Sequence, residues 1–319
     1  MDRILKYRVK ASDLDRTVGG ILGKVLKNCM GLTPHEISHA KFTPGGITVS
    51  RAGNSDGQYD TVTVKDRVAA GDTVRIRFQD TGEDADSKVA ATRGNIRILY
   101  EDEDVAVLDK PSGIVSHPSH GHYRDSLANY LAGYYESKDM EVKLRTVGRL
   151  DKDTSGAILY AKNAPAASRL FRQKDAGSFR KTYLAVVEDP LREIKEGGWH
   201  IIDSSIGPVP GTLMKQQIIS PPVGKSALTR YKLHRRYGDK ALIMAEIKTG
   251  RTHQIRVHMA SIGYPLIGDR LYGECDEKKD KAGRALLHAW KVEFRQPFSG
   301  KEIEIFSSVP EDMKEYYSG

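Results

Sequence analysis

The sequence has little cysteine and no long apolar stretch, and both shortages restrict the classes of protein to which it can belong. Its two cysteines, Cys29 and Cys275, are too few and too far apart for a disulfide framework or a zinc site. No run approaches the roughly 18 apolar residues that a membrane-spanning helix needs, and the stretch Met1–Lys6 has no apolar signal core. We therefore expect a protein of a reducing compartment, the cytoplasm, without a membrane partner.

The sequence has more basic than acidic side chains. The chain of 319 residues carries 50 Lys and Arg against 42 Asp and Glu, a formal net charge of +8. Such a balance favours contact with polyanions, and nucleic acid is the leading candidate partner, although a modest net charge also serves solubility alone.

A small module is predicted for residues 1–80. Apolar residues recur at helical spacing between Val18 and Leu26, and two alternating runs, Thr61–Val64 and Asp72–Phe78, predict short strands, with Gly71 at the turn that starts the second. Residues 81–94 are polar, acidic at their start and free of apolar periodicity, as in a linker. The remainder, residues 95–319, forms the predicted larger domain.

Strands dominate the larger domain, and helices lie between some of them. The predicted strands are Ile96–Tyr100, Val105–Leu108, Ala157–Tyr160, and a hairpin of Lys291–Phe294 with Glu302–Phe306. The predicted helices are Ala164–Gln173 and Thr252–Ile262, the latter followed by Gly263. Pattern alone therefore predicts a mixed α+β domain and does not determine the kind of sheet.

The stretch Arg149-Leu150-Asp151-Lys152-Asp153-Thr154-Ser155-Gly156 places a carboxylate in a polar turn beside an arginine. Most aspartates in such turns are structural, because they bond their own backbone. Asp151 is nevertheless the candidate catalytic residue when the turn is considered beside three other motifs, whereas Asp153 is interpreted as a turn carboxylate. The other motifs are Lys181-Thr182-Tyr183, the stretch from Gly250 to His258, and Pro265-Leu266-Ile267-Gly268-Asp269 followed by Tyr272-Gly273.

Together these motifs resemble the RluA family of pseudouridine synthases, over roughly residues 95–310. Asp109-Lys110-Pro111-Ser112-Gly113 and Leu287-His288-Ala289 are secondary landmarks. The resemblance implies a largely antiparallel mixed sheet with flanking helices around a basic cleft. The N-terminal module resembles, more weakly, the alpha-L RNA-binding motif of many members, through a basic helix and the turn at Gly71; a purely structural cap is the alternative.

The resemblance also implies a role for each site residue. Pseudouridine forms when the bond from base nitrogen to sugar breaks, the base rotates, and the same sugar carbon joins a base carbon, so no cofactor is required. Asp151 would act near the sugar as nucleophile or proton acceptor. Arg256 would pair with it, and Tyr183 would lie against the target base. Arg149 would occupy the gap that the everted uridine leaves. Gly148 stands where many members have histidine.

Metal binding is not expected from the histidines. His253 and His258 are five residues apart rather than the four that align two ligands on one helix face, and no Cys or Glu cluster joins them. We interpret them as residues that cap the helix or contact RNA phosphate.

The sequence thus predicts a monomeric, cofactor-free synthase acting on structured RNA, ribosomal RNA first and transfer RNA as the chief alternative. A noncatalytic RNA-binding or ribosome-associated protein with the same fold is the other hypothesis, and it would not need Asp151. A glycosidase using Asp151 and Asp153 is disfavoured, because nothing else in the sequence suggests sugar binding.

Overall fold

A computed structural model describes residues 2–54, 58–79, 89–189, 194, 196–273 and 282–317. The chain divides into two compact units, one built from the N-terminal elements and the other beginning at Val89. Cys275 and the acidic stretch 80–87 of the expected linker lie outside the described residues. No helix in the described ranges has the length and apolar character needed to cross a bilayer.

The N-terminal unit is a four-stranded antiparallel sheet with three helices. Its strands lie in the order β1-β4-β2-β3. Its core is formed by side chains from α2, β2 and β4, including Leu22, Leu26, Val49 and Ile76. The elements are β1 (Arg3–Arg8), α1 (Ala11–Arg16), α2 (Leu22–Asn28), α3 (Pro34–Phe42), β2 (Ile47–Ser50), β3 (Asp60–Thr61) and β4 (Thr73–Phe78).

Two predictions for this unit were partly wrong for local reasons. The strand predicted over Thr61–Val64 pairs only at β3, because the Thr63 amide donates to the Asp66 carboxylate at 2.6 Å and turns the chain. The helix begins at Leu22 rather than near Val18, since the residues before it have positive φ. At Gly20 an added Cβ would lie 2.2 Å from the Val68 carbonyl oxygen, so this turn requires glycine.

The second unit is built on a ten-stranded sheet. The order is β10-β13-β14-β9-β15-β8-β6-β5, with β16 beside β15 and β7 beside β8. Among the described pairs only β15 and β8 run parallel, so the largely antiparallel sheet that the resemblance implies is confirmed. The strands and helices of the first half are β5 (Arg97–Glu101), β6 (Val105–Lys110), α4 (Leu127–Glu136), β7 (Arg145–Val147), β8 (Ser155–Ala161), α5 (Ala164–Asp175) and β9 (Arg180–Glu188). Those that follow are β10 (His200–Asp203), β11 (Ile206–Pro208), β12 (Gln216–Ile218), β13 (Leu228–Tyr237), β14 (Lys240–Ile247), α6 (Gln254–Ser261), β15 (Leu287–Arg295), β16 (Glu302–Phe306) and α7 (Glu311–Tyr317).

The central strands are buried on both faces, which fixes the geometry of the loops at their ends. All seven residues of β8 are buried, with Ile158 and Tyr160 in one apolar cluster and Leu159 in another. Helix α4 packs into the first cluster and helix α5 into the second. A strand held between two cores cannot shift register, so the loop that precedes it is rigidly placed.

Candidate active site

Asp151 lies in the loop between β7 and β8. These strands are antiparallel neighbours, with Val147 opposite Leu159, so the loop is the connection of a hairpin. The Thr154 amide donates to the Asp151 carbonyl at 3.2 Å and closes a tight turn. Leu150 is buried in the main core. Strand packing on one side and Leu150 on the other therefore fix the turn.

The loop of residues 111–116 and the preceding Lys110 bind the turn that contains Asp151, on both sides of this residue. The Ser116 hydroxyl donates to the Leu150 carbonyl at 2.7 Å and accepts from the Leu150 amide at 3.0 Å. On the other side, the Lys152 carbonyl accepts from the Gly113 amide at 2.9 Å and from Lys110 Nζ at 2.8 Å. These contacts hold the backbone on each side of the carboxylate.

Lys110 is fully buried. Among the described residues, the groups within hydrogen-bonding distance of its amine are all carbonyl oxygens. Besides Lys152, Nζ donates to the carbonyls of Pro111 at 3.0 Å and Ile114 at 2.6 Å. Burial lowers the pKa of Lys110 to about 7, while the charges of Asp151 and Asp153 raise it. Three acceptors require three N–H donors, so this geometry fits the ammonium form.

Asp151 is the charge around which the other groups of the site are arranged. Its side chain is half-buried and receives no hydrogen bond from any described residue. Its negative charge raises the pKa of five surrounding groups: Lys110, Tyr183, His253, Arg256 and Tyr272. Groups from four separate parts of the chain thus lie within electrostatic range of one unbonded carboxylate.

Tyr183 lies on β9, two strands from the start of β8. It is opposite Ala289 of β15, and Ala289 is opposite Gly156 of β8, so the sheet brings this ring near the turn that contains Asp151. Burial and then the Asp151 charge raise its pKa, and the ring is 4% exposed. Its hydroxyl bonds to no described residue and is not among the buried unpaired atoms, so it reaches the surface of the site. A protonated phenol therefore faces the space beside Asp151.

Arg256 does not pair directly with Asp151, and this part of the sequence interpretation needs correction. Its Nε and Nη2 donate to the two carboxylate oxygens of Asp269 at 2.7 and 2.6 Å. Asp269 follows a turn at Gly268 that places its carboxylate beside α6, where Arg256 reaches it in the bidentate geometry that suits arginine. Nη1 bonds to no described residue, and Asp151 acts on Arg256 through its charge. The arginine is thus fixed by one aspartate and presented to the other.

Arg149 is exposed immediately before the buried Leu150. Its charge, after burial, lowers the pKa of His117 in the neighbouring loop. Gly148, where many family members have histidine, has a φ of 76°, and its carbonyl accepts from Lys181 Nζ at 3.0 Å. A left-handed backbone beside a buried lysine explains why glycine suits this position.

Two more residues lie around Asp151 in the structure, His253 and Tyr272. The sequence interpretation gave neither of them a place beside this carboxylate. His253 occupies the N-cap position of α6 with a φ of 55°, but its side chain makes no capping bond, so that part of the interpretation was wrong. Its Nδ1 instead lies 2.9 Å from the Tyr272 hydroxyl. His258 is buried and contacts the Thr229 hydroxyl and the Ser204 carbonyl. Across the described residues, no three His, Cys, Asp or Glu side chains are grouped as metal ligands.

A surface groove of about 510 Å³ adjoins this site. Its lining includes Tyr272 together with Glu188, Lys215, Pro265 and Leu271. Asp151 does not line it, and among the five side chains around the carboxylate the groove is lined by Tyr272.

Comparison with known proteins agrees with the motifs and the fold. Residues 104–261 match the family described as RNA pseudouridylate synthase. Ribosomal large subunit pseudouridine synthase D of Nitrosomonas europaea is 34% identical over 257 residues, covering 79% of this chain and 72% of that protein. The chain belongs to the RluA family of pseudouridine synthases.

Two further relatives show how far this similarity extends. An uncharacterized RNA pseudouridine synthase of Bacillus subtilis, YhcT, is 37% identical over 249 residues, covering 77% of this synthase and 78% of its relative. The structure of human RNA pseudouridylate synthase domain containing 1 superposes with a TM-score of 0.54 at 26% identity, covering 70% of this synthase and 87% of the human chain. The predicted enzyme class, an isomerase that forms pseudouridine, is thereby confirmed.

Proposed function

We propose that the synthase isomerises specific uridines of ribosomal RNA and that Asp151 is its catalytic carboxylate. The observation that carries the proposal is the convergence of Tyr183, Arg256 and Lys110 on a carboxylate that no described protein group bonds. A carboxylate used only to stabilise its turn would accept backbone or side-chain hydrogen bonds. This one is held in place by its neighbours' backbone and left available for a substrate.

In the proposed mechanism each group has a task during the isomerisation. Asp151 either bonds to the sugar as the bond from base nitrogen N1 to the sugar carbon breaks, and is displaced when the new bond forms, or accepts a sugar proton and returns it. The freed base rotates and its carbon C5 bonds to the same sugar carbon. C5 then loses its proton, and N1 gains one. Tyr183 supports the base with its ring and hydroxyl. Arg256 supplies a fixed positive charge beside Asp151.

Arg149 is proposed to stabilise the RNA from which the uridine has been removed. A uridine in a folded RNA must leave its stack to reach a half-buried carboxylate, and the gap needs a group to fill it. Arg149 is exposed two residues before Asp151, and arginine combines a planar surface for stacking with a charge for phosphate. Its position at the edge of the site supports this role.

Ribosomal RNA is the proposed substrate on two grounds. The net charge of +8 favours RNA as a partner, and the relative from Nitrosomonas europaea is named for the large ribosomal subunit. We further propose that the synthase works as a monomer in the cytoplasm, where ribosomal RNA is available to it. Transfer RNA is the other substrate that a mapping experiment would reveal.

The proposal is tested with total RNA from cells that lack the synthase. Purified protein is added, and new pseudouridines are mapped for the wild type and for Asp151→Asn. Because the carboxylate makes no hydrogen bond with described residues, we expect this variant to keep its stability and RNA retention while losing all product. Asp153→Asn, a change of the same type two residues away, is the control and should remain active. Equal product from wild type and Asp151→Asn would refute the assignment, and sites confined to transfer RNA would refute the ribosomal substrate.

A further inference from the structure

The side chain of His253 is oriented by a chain of hydrogen bonds that ends in the candidate active site. The Gln216 amide in β12 donates to the Tyr272 hydroxyl oxygen at 2.9 Å, and that oxygen lies 2.9 Å from His253 Nδ1. The hydroxyl therefore already accepts one hydrogen and has its own to donate. Nδ1 is the acceptor available to it.

This arrangement determines which nitrogen of the ring carries the hydrogen. If the Tyr272 hydroxyl donates to Nδ1, a neutral His253 must have its hydrogen on Nε2. Burial and then the charge of Arg256 lower the pKa of His253, while Asp151 opposes them, so the neutral ring is favoured. Burial raises the pKa of Tyr272, which keeps its hydroxyl protonated and able to donate.

The hydrogen on Nε2 has no acceptor within the described protein. No described residue hydrogen-bonds this nitrogen, yet it is not among the buried polar atoms without a partner, so it lies where solvent reaches. The residue as a whole is only 6% exposed. The guanidinium of Arg256, on the same helix, lies over the Tyr272 ring at 5.2 Å from its centroid, and the charge of Asp151 acts on the imidazole. A single oriented N–H donor thus lies within electrostatic range of Asp151.

His253 also has an unusual backbone conformation for this purpose. Its φ of 55° is in the left-handed region, which is unfavourable for a residue with a large side chain and is tolerated best by glycine and asparagine. Conformations of this kind persist where the surrounding structure demands them, often at functional sites. Here the ring contacts Tyr272 and makes no capping bond with the first turn of α6.

We propose that His253 binds the everted uracil, with its Nε2–H donating to a carbonyl oxygen of the base. Uracil has two carbonyl oxygens, and both are acceptors that an oriented neutral donor can recognise. The inference rests on the proposed function, because it names a group that would hold the substrate in the same site. It makes His253 a base-positioning residue that contacts the target through one of its carbonyl oxygens.

Two substitutions separate this role from a structural one. Asparagine places its amide near Nδ1, so His253→Asn can keep the contact with Tyr272 and accommodates the left-handed backbone, but it lacks the distal donor. Glutamine extends an amide N–H toward the position of Nε2. We expect His253→Asn to reduce kcat/KM about tenfold with unchanged RNA retention and thermal stability, and His253→Gln to be about threefold faster than His253→Asn. A structural role predicts the reverse order, since asparagine fits the backbone better.

A change in the substrate provides an independent measurement. RNA is prepared with sulfur in place of one carbonyl oxygen of the mapped uridine, either O2 or O4, because sulfur is the weaker acceptor. One of the two should slow the wild type, and the same replacement should have little further effect in His253→Asn. Equal sulfur effects in both proteins, or a glutamine variant slower than the asparagine variant, would overturn the inference. If the wild-type synthase forms no pseudouridine, the proposed function is refuted instead.

Discussion

The ion pair of Arg256 with Asp269 provides the sharpest test of how the site is held together. The two side chains are 6% and 0% exposed and share hydrogen bonds of 2.7 and 2.6 Å. Asp269 also accepts from the Leu271 amide at 3.0 Å. Asp269→Asn keeps the size of the side chain but leaves a buried guanidinium without its counter-charge. Removal of one partner of a buried pair costs about 3–5 kcal/mol, and the amide oxygen retained by asparagine places the expected loss near the lower end.

The chain contains a matched pair for comparison. Arg230 donates through Nε and Nη2 to Glu246, but these side chains are 41% and 17% exposed. Solvent screens such a pair, so Glu246→Gln should cost less than about 1 kcal/mol. Both changes replace a carboxylate bound by an arginine fork with the corresponding amide, and they differ in burial.

Urea unfolding followed by tryptophan fluorescence measures both variants. The two tryptophans of the chain, Trp199 and Trp290, both belong to the second unit, so the signal reports on the unit that contains the two pairs. Free energies of unfolding come from linear extrapolation. Losses that are equal within error would refute the argument that burial makes the Arg256 pair important. In Asp269→Asn we also expect turnover to fall more than RNA retention, because Arg256 loses the partner that orients it beside Asp151.

Two further predictions concern buried bases. Lys110→Met removes the donor to three carbonyls in the loops beside Asp151. The control, Lys162→Met, removes a similarly buried amine that contacts Glu101 and the Asp102 carbonyl. Each variant should lose about 2–3 kcal/mol of stability, but only Lys110→Met should also lose turnover in a single-turnover assay. His288 is buried, and burial lowers its pKa from 6.5 to about 4, so the folded protein holds it neutral. In the unfolded chain this residue takes up a proton below about pH 6.5, whereas in the folded chain it does so only near pH 4. The free energy of unfolding should therefore fall as the pH is lowered from 6.5 to 4, by up to about 1.4 kcal/mol per pH unit from this residue, and urea unfolding of His288→Gln should show a smaller fall. An unchanged pH dependence in that variant, or equal turnover in the two methionine variants, would contradict the respective prediction.

The sequence predicted those elements whose pattern depends on burial alone. The strands around Val107 and Ile158 are buried on both faces, and their apolar runs identify them without knowledge of their neighbours. Thr61–Val64 has the alternation of a strand, but the contact that ends it is the hydrogen bond from Thr63 to Asp66. The alternation of apolar and polar residues indicates which side chains are buried, and Val62 and Val64 are indeed partly buried. It does not indicate which backbone groups pair.

The same limit explains what could be known of the site. Motif resemblance identified Asp151, Tyr183 and Arg256 as candidates, and in the structure the charge of Asp151 acts on both of the other groups. It could not show that Arg256 is bound by Asp269, since the choice between two loop aspartates depends on how the turn after Gly268 lies against α6. His253 was visible as one residue of a helix motif, but its orientation depends on a left-handed backbone and on a tyrosine that follows nineteen residues later.

The division of tasks between the two aspartates has a consequence for the mechanism. In the proposed mechanism, a guanidinium bound on two nitrogens by Asp269 keeps its position when the charge on Asp151 changes, so the positive charge stays beside the reacting atoms without rearrangement. If Arg256 were paired directly with Asp151, the substrate would have to break that pair before the carboxylate could act. Keeping Asp151 free of hydrogen bonds with described residues while fixing the cation beside it avoids this cost. The position of the cation then depends on Asp269, a residue that need not contact the RNA.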